Sequence, residues 1–403
     1  MTNWREQAPA YLAGAAAATS IVSIAASQIL LGLAIVALLA NPSRLRWPPI
    51  TVPLLAWFGW TLVSLFANGH LQQGLPQVKK FYVYLMLFAV YSAVRTLDQI
   101  RWIALGWISG GALSAAWSML QFARKYQAAQ AAGQPFYEYY VGQRITGFMG
   151  HWMTFSGHMM IALMILGGLL LFRRERKLLP WLIAAGFLLT AGLLAAFTRS
   201  MWPGAAVGGM YLLWFRNPRL IAAVPVVAAV LLAANPFDVR ERVISMVRPH
   251  EGQVDSNLHR DVLRRTGWSM IAAHPFIGVG PEQVGREFLH YYPADAPHPV
   301  PKEWYYDHLH NIYVHFGAER GLPALAALLW MIGKALFDFL RAGRVKSDAQ
   351  WILHGAVAVI LAVLVSGYGE VNLGDSEVLA VFLATLALGY VAIDVQASSV
   401  ECL

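Results

Sequence analysis

The chain has 403 residues, of which 58% are hydrophobic and only 13% charged, and its mean hydropathy is +0.50. Its net charge is +8. A soluble domain has about 25% charged residues, so this chain lacks the polar surface that a water-soluble globule needs. Long unbroken apolar runs exclude an outer-membrane barrel, whose strands alternate apolar and polar residues. We therefore predict an all-α polytopic membrane protein.

Apolar segments long enough for a helix to cross the hydrocarbon layer recur along the chain. We predict twelve transmembrane helices, the first two within residues 8–40, separated near 19–23. The other ten lie near 49–67, 80–94, 102–123, 153–172, 179–197, 202–215, 219–234, 311–340, 349–367 and 377–394.

Lys and Arg are concentrated in every second loop between these spans, which is typical of loops that face the cytoplasm. The basic residues of these loops are Arg44, Arg46, Arg95, Arg101, Arg173, Arg174, Arg176, Lys177, Arg216, Arg219, Arg341, Arg344 and Lys346. With twelve spans, both termini fall on the same face, so we predict that they are cytoplasmic. The opposite face then consists of residues 68–77, 124–152, 198–203, 235–310 and 367–376.

The spans divide the chain into helices 1–9 in residues 1–234, a long loop in 235–310 on the opposite, periplasmic face, and helices 10–12 with the C-terminus in 311–403. The loop contains seven of the chain's 12 His. Within it, 260–273 has a partial apolar stripe that favours a surface helix lying on the bundle. The stripe consists of Val262, Trp268, Ile271 and Ala272. We expect any chemistry in this loop.

Three arginines of the periplasmic face could bind an anion. Arg199 stands in FTRSMWPG, in a very short turn on the face where positive charge is not expected. It either snorkels from a helix end to the interface or serves a site there. Arg264 and Arg265 lie in the loop helix, where they form either a solvated, headgroup-contacting face or a pair of planar donors for a phosphate.

The segment after the loop helix contains closely spaced histidines. His308, His310 and His315 do not have the four-residue spacing of helical zinc motifs. The single cysteine, Cys402, cannot form a thiolate cage for a metal. A histidine at the wet start of a helix can instead act as a general base, or simply cap the helix. Glu319 and Arg320, in the same predicted helix, must face a wet cavity or pair with each other.

These motifs resemble the O-antigen ligase and polymerase superfamily. The resemblance rests on FTRS (197–200), HPFIGVGP (274–281) and HNIYVHFGAERGL (310–322), and the predicted topology is similar too. It implies a catalytic His310, and binding of substrate pyrophosphate by Arg199 and by Arg264 or Arg265. His308, Trp268 and Tyr313 are possible supporting residues. It implies no cofactor and no metal.

Within the superfamily the chain looks most similar to O-antigen ligases. This implies a metal-independent, inverting glycosyltransferase that moves O-antigen from undecaprenyl pyrophosphate to a sugar hydroxyl of lipid A-core, on the periplasmic side of the bacterial inner membrane. The alternatives are an O-antigen polymerase or a protein O-oligosaccharyltransferase with the same donor, and, in a different class, a transporter of the lipid-linked glycan. A transporter predicts repeats and charges along several spans, whereas here the ionisable residues concentrate at one face.

Overall fold

The computed structural model describes residues 4–173, 175–247, 256–302 and 304–401. Within these ranges the chain is 77% helical and forms no strand. Arg174 and Cys402, which entered the sequence predictions, lie outside the described residues. The protein is an all-α polytopic membrane protein, as predicted.

Every predicted span contains helical structure. The α-helices are α1 (Trp4–Thr19), α2 (Ile24–Leu39), α3 (Thr51–Ala67), α4 (Leu71–Lys79), α5 (Phe81–Ala93), α6 (Leu97–Ala131), α7 (Phe136–Val141), α8 (Trp152–Phe172), α9 (Leu179–Ala195), α10 (Met201–Arg216), α11 (Ala223–Ala234), α12 (Val239–Val247), α13 (Ser256–Ala273), α14 (Val284–Glu287), α15 (Ile312–Arg320), α16 (Leu322–Gly343), α17 (Gln350–Ser366) and α18 (Ser376–Glu401).

By length and hydropathy, four of the described helices can cross a membrane, namely α6, α8, α16 and α18. The segments 218–234 and 236–245, bent by 105° at their junction, would together make a fifth span. Helices α2, α3, α9 and α17 are apolar but shorter. The count of twelve spans therefore stays a prediction.

Helices α17 and α18 form the centre of the bundle. Helix α17 packs against α8, α10 and α18, and it is buried along almost its whole length. Small residues permit these close contacts, since a Cβ at Gly204 of α10 would come within 2.5 Å of the Ala362 carbonyl oxygen of α17. Because α10 and α17 are in such close contact, they rigidly connect the two ends of the bundle.

The predicted span 311–340 is wrong as one continuous helix, because the chain breaks at Gly321 into α15 and α16. Gly321 has φ +85°, and a Cβ there would collide with the backbone of Phe276. The segment 275–280 packs against this break through backbone hydrogen bonds, including Val279 N–H to Ala318 O at 2.8 Å and Leu322 N–H to Pro275 O at 2.8 Å. The HPFIGVGP motif thus fixes the end of α15.

The long loop folds around a small apolar core of its own. The core contains Val262, Leu263, Met270, Phe288 and Trp304. Helix α13 confirms the predicted surface helix, but its stripe is partly wrong. Trp268 and Ala272 lie on the exposed face, because Leu263 and Met270 fill the positions that face the core.

Candidate functional site

The start of α15 fixes the position of His310. Asn311 caps this helix, since its side-chain oxygen accepts hydrogen bonds from Tyr313 N–H and Val314 N–H at 2.9 and 3.0 Å. The Asn311 amide also donates to the Tyr368 carbonyl oxygen at 3.1 Å. His310 itself has φ +46°, in the left-handed region that few non-glycine residues adopt. The histidine is therefore held at a defined angle beside the segment 367–376 that joins α17 to α18.

A buried carboxylate connects His310 to the loop helix. Glu370 accepts a hydrogen bond from His310 Nδ1 at 2.9 Å on one oxygen, and from Arg260 at 2.6 Å on the other. An ionised carboxylate can only accept, so Nδ1 carries a proton, and in the neutral imidazole Nε2 then has a free lone pair. Burial alone would raise the pKa of Glu370, but the charges of Arg260 and His310 outweigh it and lower the pKa to about 2. Glu370 therefore stays ionised and sets the tautomer of the imidazole.

Two further histidines surround His310. The ring centroid of His308 lies 4.6 Å from that of His310, and the centroid of His259 lies 6.0 Å away. Burial and the neighbouring His310 lower the pKa of His308 to about 3 and that of His259 to about 4. Both rings are therefore neutral at physiological pH. His308, a possible supporting residue in the sequence hypothesis, is a neighbour of His310 in the structure.

Arg199 and Arg260 line one cavity of about 690 Å³ on this side of the bundle. Arg199 lies in the short turn between α9 and α10, is buried, and donates to the Ser245 carbonyl oxygen at 2.9 Å. Tyr313 also lines the cavity, and its hydroxyl donates to the Leu364 carbonyl oxygen at 2.8 Å. Arg260 thus contacts both the cavity and the carboxylate that orients His310.

Two more arginines, the buried Arg242 and the partly buried Arg144, flank the turn that carries Arg199. Arg242 and Arg144 both donate to the Phe197 carbonyl oxygen, at 3.1 and 3.4 Å. Burial and the positive charges of Arg242, Arg260 and Arg199 outweigh the attraction of Glu370 and lower the pKa of Arg144 to about 9. Four arginines thus act on one another here, and the region has a positive potential suited to an anion.

The other arginines predicted from the sequence lie elsewhere on α13. Arg264 pairs with Asp261 at 2.6 Å, and Arg265 pairs with Asp295 at 2.5 Å. Both side chains are more than 40% exposed. The structure therefore brings Arg199, His308, His310 and Tyr313 to one region together with Arg260, and it leaves Arg264, Arg265 and Trp268 on the outer face.

Glu319 and Arg320 form a buried ion pair at 2.9 Å, which decides between the two sequence readings in favour of pairing. The Arg320 guanidinium also donates to the Gln77 side chain at 2.8 Å and lies 4.5 Å above the Trp57 ring. Every strong contact of this pair is with protein, so it joins α15 to α3 and α4.

Sequence reasoning missed Glu370 and Arg260 as a connected pair with His310, and it missed Arg144 and Arg242. A signal existed for Glu370, because it is an acidic residue in a short link on the same predicted face as the catalytic loop. The distance of 60 residues from His310 concealed the contact. Arg260 precedes Arg264 by one helical turn, so both lie on similar faces of α13. The sequence pattern therefore cannot tell which of the two arginines faces the site.

Comparison with known families gives one match. Residues 184–329 match the model of a family described as O-antigen ligase. A search of curated proteins finds no match. The matched range contains Arg199, Arg260 and His310, and it ends within α16, so Glu370 lies beyond it. Over residues 184–329, this membrane protein is therefore similar to the O-antigen ligase family, which supports its resemblance to the O-antigen ligase and polymerase superfamily.

Proposed function

We propose that the protein is an O-antigen ligase. It transfers O-antigen from undecaprenyl pyrophosphate to a sugar hydroxyl of lipid A-core, on the periplasmic side of the bacterial inner membrane. The observation that carries this proposal is the connected set of His310, Glu370 and Arg260 beside a cavity that Arg199 also lines. A base and cationic groups in one place are what a transfer from an activated pyrophosphate requires.

In this proposal His310 Nε2 accepts the proton of the acceptor hydroxyl. The hydroxyl oxygen then bonds to the anomeric carbon of the glycan as the bond from that carbon to the pyrophosphate oxygen breaks. One displacement inverts the anomeric configuration, and undecaprenyl pyrophosphate leaves. Ionised Glu370 stabilises the imidazolium that forms, as the carboxylate of a catalytic triad does. General base catalysis of this kind contributes about 10² to 10⁴ in rate.

Arg199 and Arg260 bind the pyrophosphate and stabilise the charge that develops on it. A preorganised donor at such a position contributes roughly 3 kcal/mol to the transition state. Arg264 and Arg265 remain predictions for this role, and their exposed ion pairs lead us to expect a smaller contribution. The reaction uses no metal in this proposal, because arginines supply the positive charge.

Both substrates carry lipid tails, so the proposal requires that the cavity be reachable from the membrane. Tyr368, which lines the cavity, is 64% exposed. Helix α11 buries none of its residues, so it lies at the periphery of the bundle. The amphipathic helix α13 roofs the site from the water side. These features support lateral entry between the helices.

The test is transfer by purified protein from undecaprenyl-pyrophosphate-linked O-antigen to lipid A-core, with EDTA present. The variant is His310→Asn, since asparagine tolerates the left-handed backbone of this position. The matched control is His290→Ala, which removes an exposed histidine of the same loop. We expect EDTA-resistant transfer that falls about 10² to 10⁴-fold in His310→Asn only.

Three outcomes would contradict the proposal. Transfer abolished by EDTA would indicate metal catalysis. Undiminished transfer by folded His310→Asn would remove the proposed base. Extension of the lipid-linked glycan without transfer to lipid A-core would identify an O-antigen polymerase with the same site.

A further inference from the structure

A second cavity, of about 730 Å³, lies at the other end of the central helices. Its lining comes from the last turns of α8, α10 and α16 and from the first turn of α17. The cavity described above is lined by the opposite ends of α10 and α17. At 1.5 Å per residue these helices are about 25 Å long, so the two cavities are separated by nearly the full thickness of the bundle.

Basic residues form a large part of the lining of this second cavity. Arg173, Arg216, Arg344 and Lys346 all line it. Arg173 forms an ion pair with Glu175 at 2.7 Å. This carboxylate does not neutralise Arg216, Arg344 or Lys346. Among the described residues of the lining, none is Asp or Glu. The cavity therefore favours an anion, and its concave shape allows several cations to reach the same one.

The lining also contains apolar residues. Leu170, Leu171, Phe172 and Phe215 line it, and the neighbouring Trp214 is 57% exposed. Tryptophan at a helix end is typical of the boundary between lipid and water. A lining that combines apolar and basic residues at these helix ends matches a molecule with an acyl chain and an anionic headgroup better than it matches a small soluble anion.

Side-chain contacts connect the helices that line this cavity. His354 stacks on Phe172 with ring centroids 4.2 Å apart, and its Nδ1 lies 2.8 Å from the Tyr211 hydroxyl. The side chain of Gln350 donates to the Gly343 carbonyl oxygen at 3.0 Å and ties the ends of α16 and α17 together. The cavity is therefore formed by packed side chains and does not depend on a loose loop.

We infer that this cavity binds one anionic phospholipid, with the phosphate held by Arg216, Arg344 and Lys346. The site lies on the face that the basic loops predict to be cytoplasmic, whereas the proposed chemistry lies on the other face. The bound lipid links the ends of α8, α10, α16 and α17. This inference does not depend on the proposed transferase activity.

The experiment is native mass spectrometry of the delipidated protein, titrated separately with phosphatidylglycerol and with phosphatidylcholine. The test variant is the triple substitution Arg216→Gln, Arg344→Gln and Lys346→Gln. The control triple, Lys177→Gln, Arg219→Gln and Arg341→Gln, removes the same charge from the same end of the bundle but outside the cavity. Circular dichroism and size exclusion establish that all three proteins are folded.

We expect one phosphatidylglycerol to bind wild type more tightly than phosphatidylcholine does, and the test triple to weaken its binding roughly tenfold to hundredfold, from about a kcal/mol for each basic residue. The control triple should change it less than about threefold. Equal weakening in both triples would overturn the inference, because it would indicate a general surface potential. Equal binding of the two lipids, or displacement of the lipid by millimolar inorganic phosphate, would overturn it as well.

Discussion

A group of buried charges lies at each end of the short helix α15, and the two groups differ in how exposed the basic residues are. At its C-terminal end, Glu319 and Arg320 have side chains 2% and 4% exposed, and their other contacts are with protein. At its N-terminal end, Glu370 is 8% exposed, but its partners Arg260 and His310 are 31% and 21% exposed. Arg260 also lines a cavity. Both groups contain a buried carboxylate. The partly exposed basic side chains at the N-terminal end therefore distinguish the candidate site from the fully buried structural link at the C-terminal end.

The comparison predicts that breaking the buried ion pair between Glu319 and Arg320 gives the largest loss of stability. Replacing Arg320 with leucine leaves Glu319 buried without its cation, and we expect the free energy of unfolding to fall by about 3 to 5 kcal/mol. Unfolding in detergent, followed by circular dichroism, measures the effect. The double variant Glu319→Leu/Arg320→Leu is the control and should recover much of the loss, because no uncompensated charge remains.

A different result would place Glu319 and Arg320 in the catalytic site. If Arg320→Leu kept its stability but the folded protein lost transfer, the distinction between the two ends of α15 would be wrong. We expect the folded fraction of this variant to transfer at a rate within a few-fold of wild type.

Removing the charged donors that line the cavity at the N-terminal end of α15 should lower transfer activity. Arg199→Gln and Arg260→Gln each remove a donor from the proposed pyrophosphate site, and we expect transfer to fall about 10² to 10³-fold. The rate of transfer from lipid-linked O-antigen measures this. Arg286→Gln, at an exposed loop arginine, is the matched control and should be nearly neutral. Wild-type rates in both site variants would contradict the assignment of this cavity.

The smallest effects are expected on the outer face of α13. Arg264→Gln and Arg265→Gln break exposed ion pairs, which contribute about 0 to 1 kcal/mol each, and we expect transfer to change less than about threefold. The same assay tests this. A loss of about a hundredfold in either variant would return the pyrophosphate role to the residue first predicted from the sequence.

The helices could be predicted because membrane spans depend on local composition. Runs of apolar residues indicated the helical segments of the predicted spans, and Arg199 was noticed because it breaks the charge pattern of its face. The break at Gly321 was missed, since its cause is the backbone of Phe276, which lies 45 residues earlier in the chain. Hydropathy alone cannot register such a tertiary contact.

The candidate site was predictable only where one motif carried it. His310 stands next to the cap Asn311, and this local pattern is visible in the sequence. The pairing of His310 with Glu370 and Arg260 depends on the register between three separate segments. Arg260 and Arg264 differ by a single helical turn, and only the packing of Val262 and Leu263 decides which arginine faces the cavity.

The most direct test of the central claim is the single-turnover rate of transfer by Glu370→Gln. The cationic partners of Glu370 outweigh burial and lower its pKa to about 2, so the wild-type carboxylate is ionised at pH 7. We predict a rate roughly 10² to 10⁴-fold below wild type at pH 7, from loss of the oriented imidazole, with the protein still folded. A folded Glu370→Gln protein that transfers O-antigen at the wild-type rate would contradict the account.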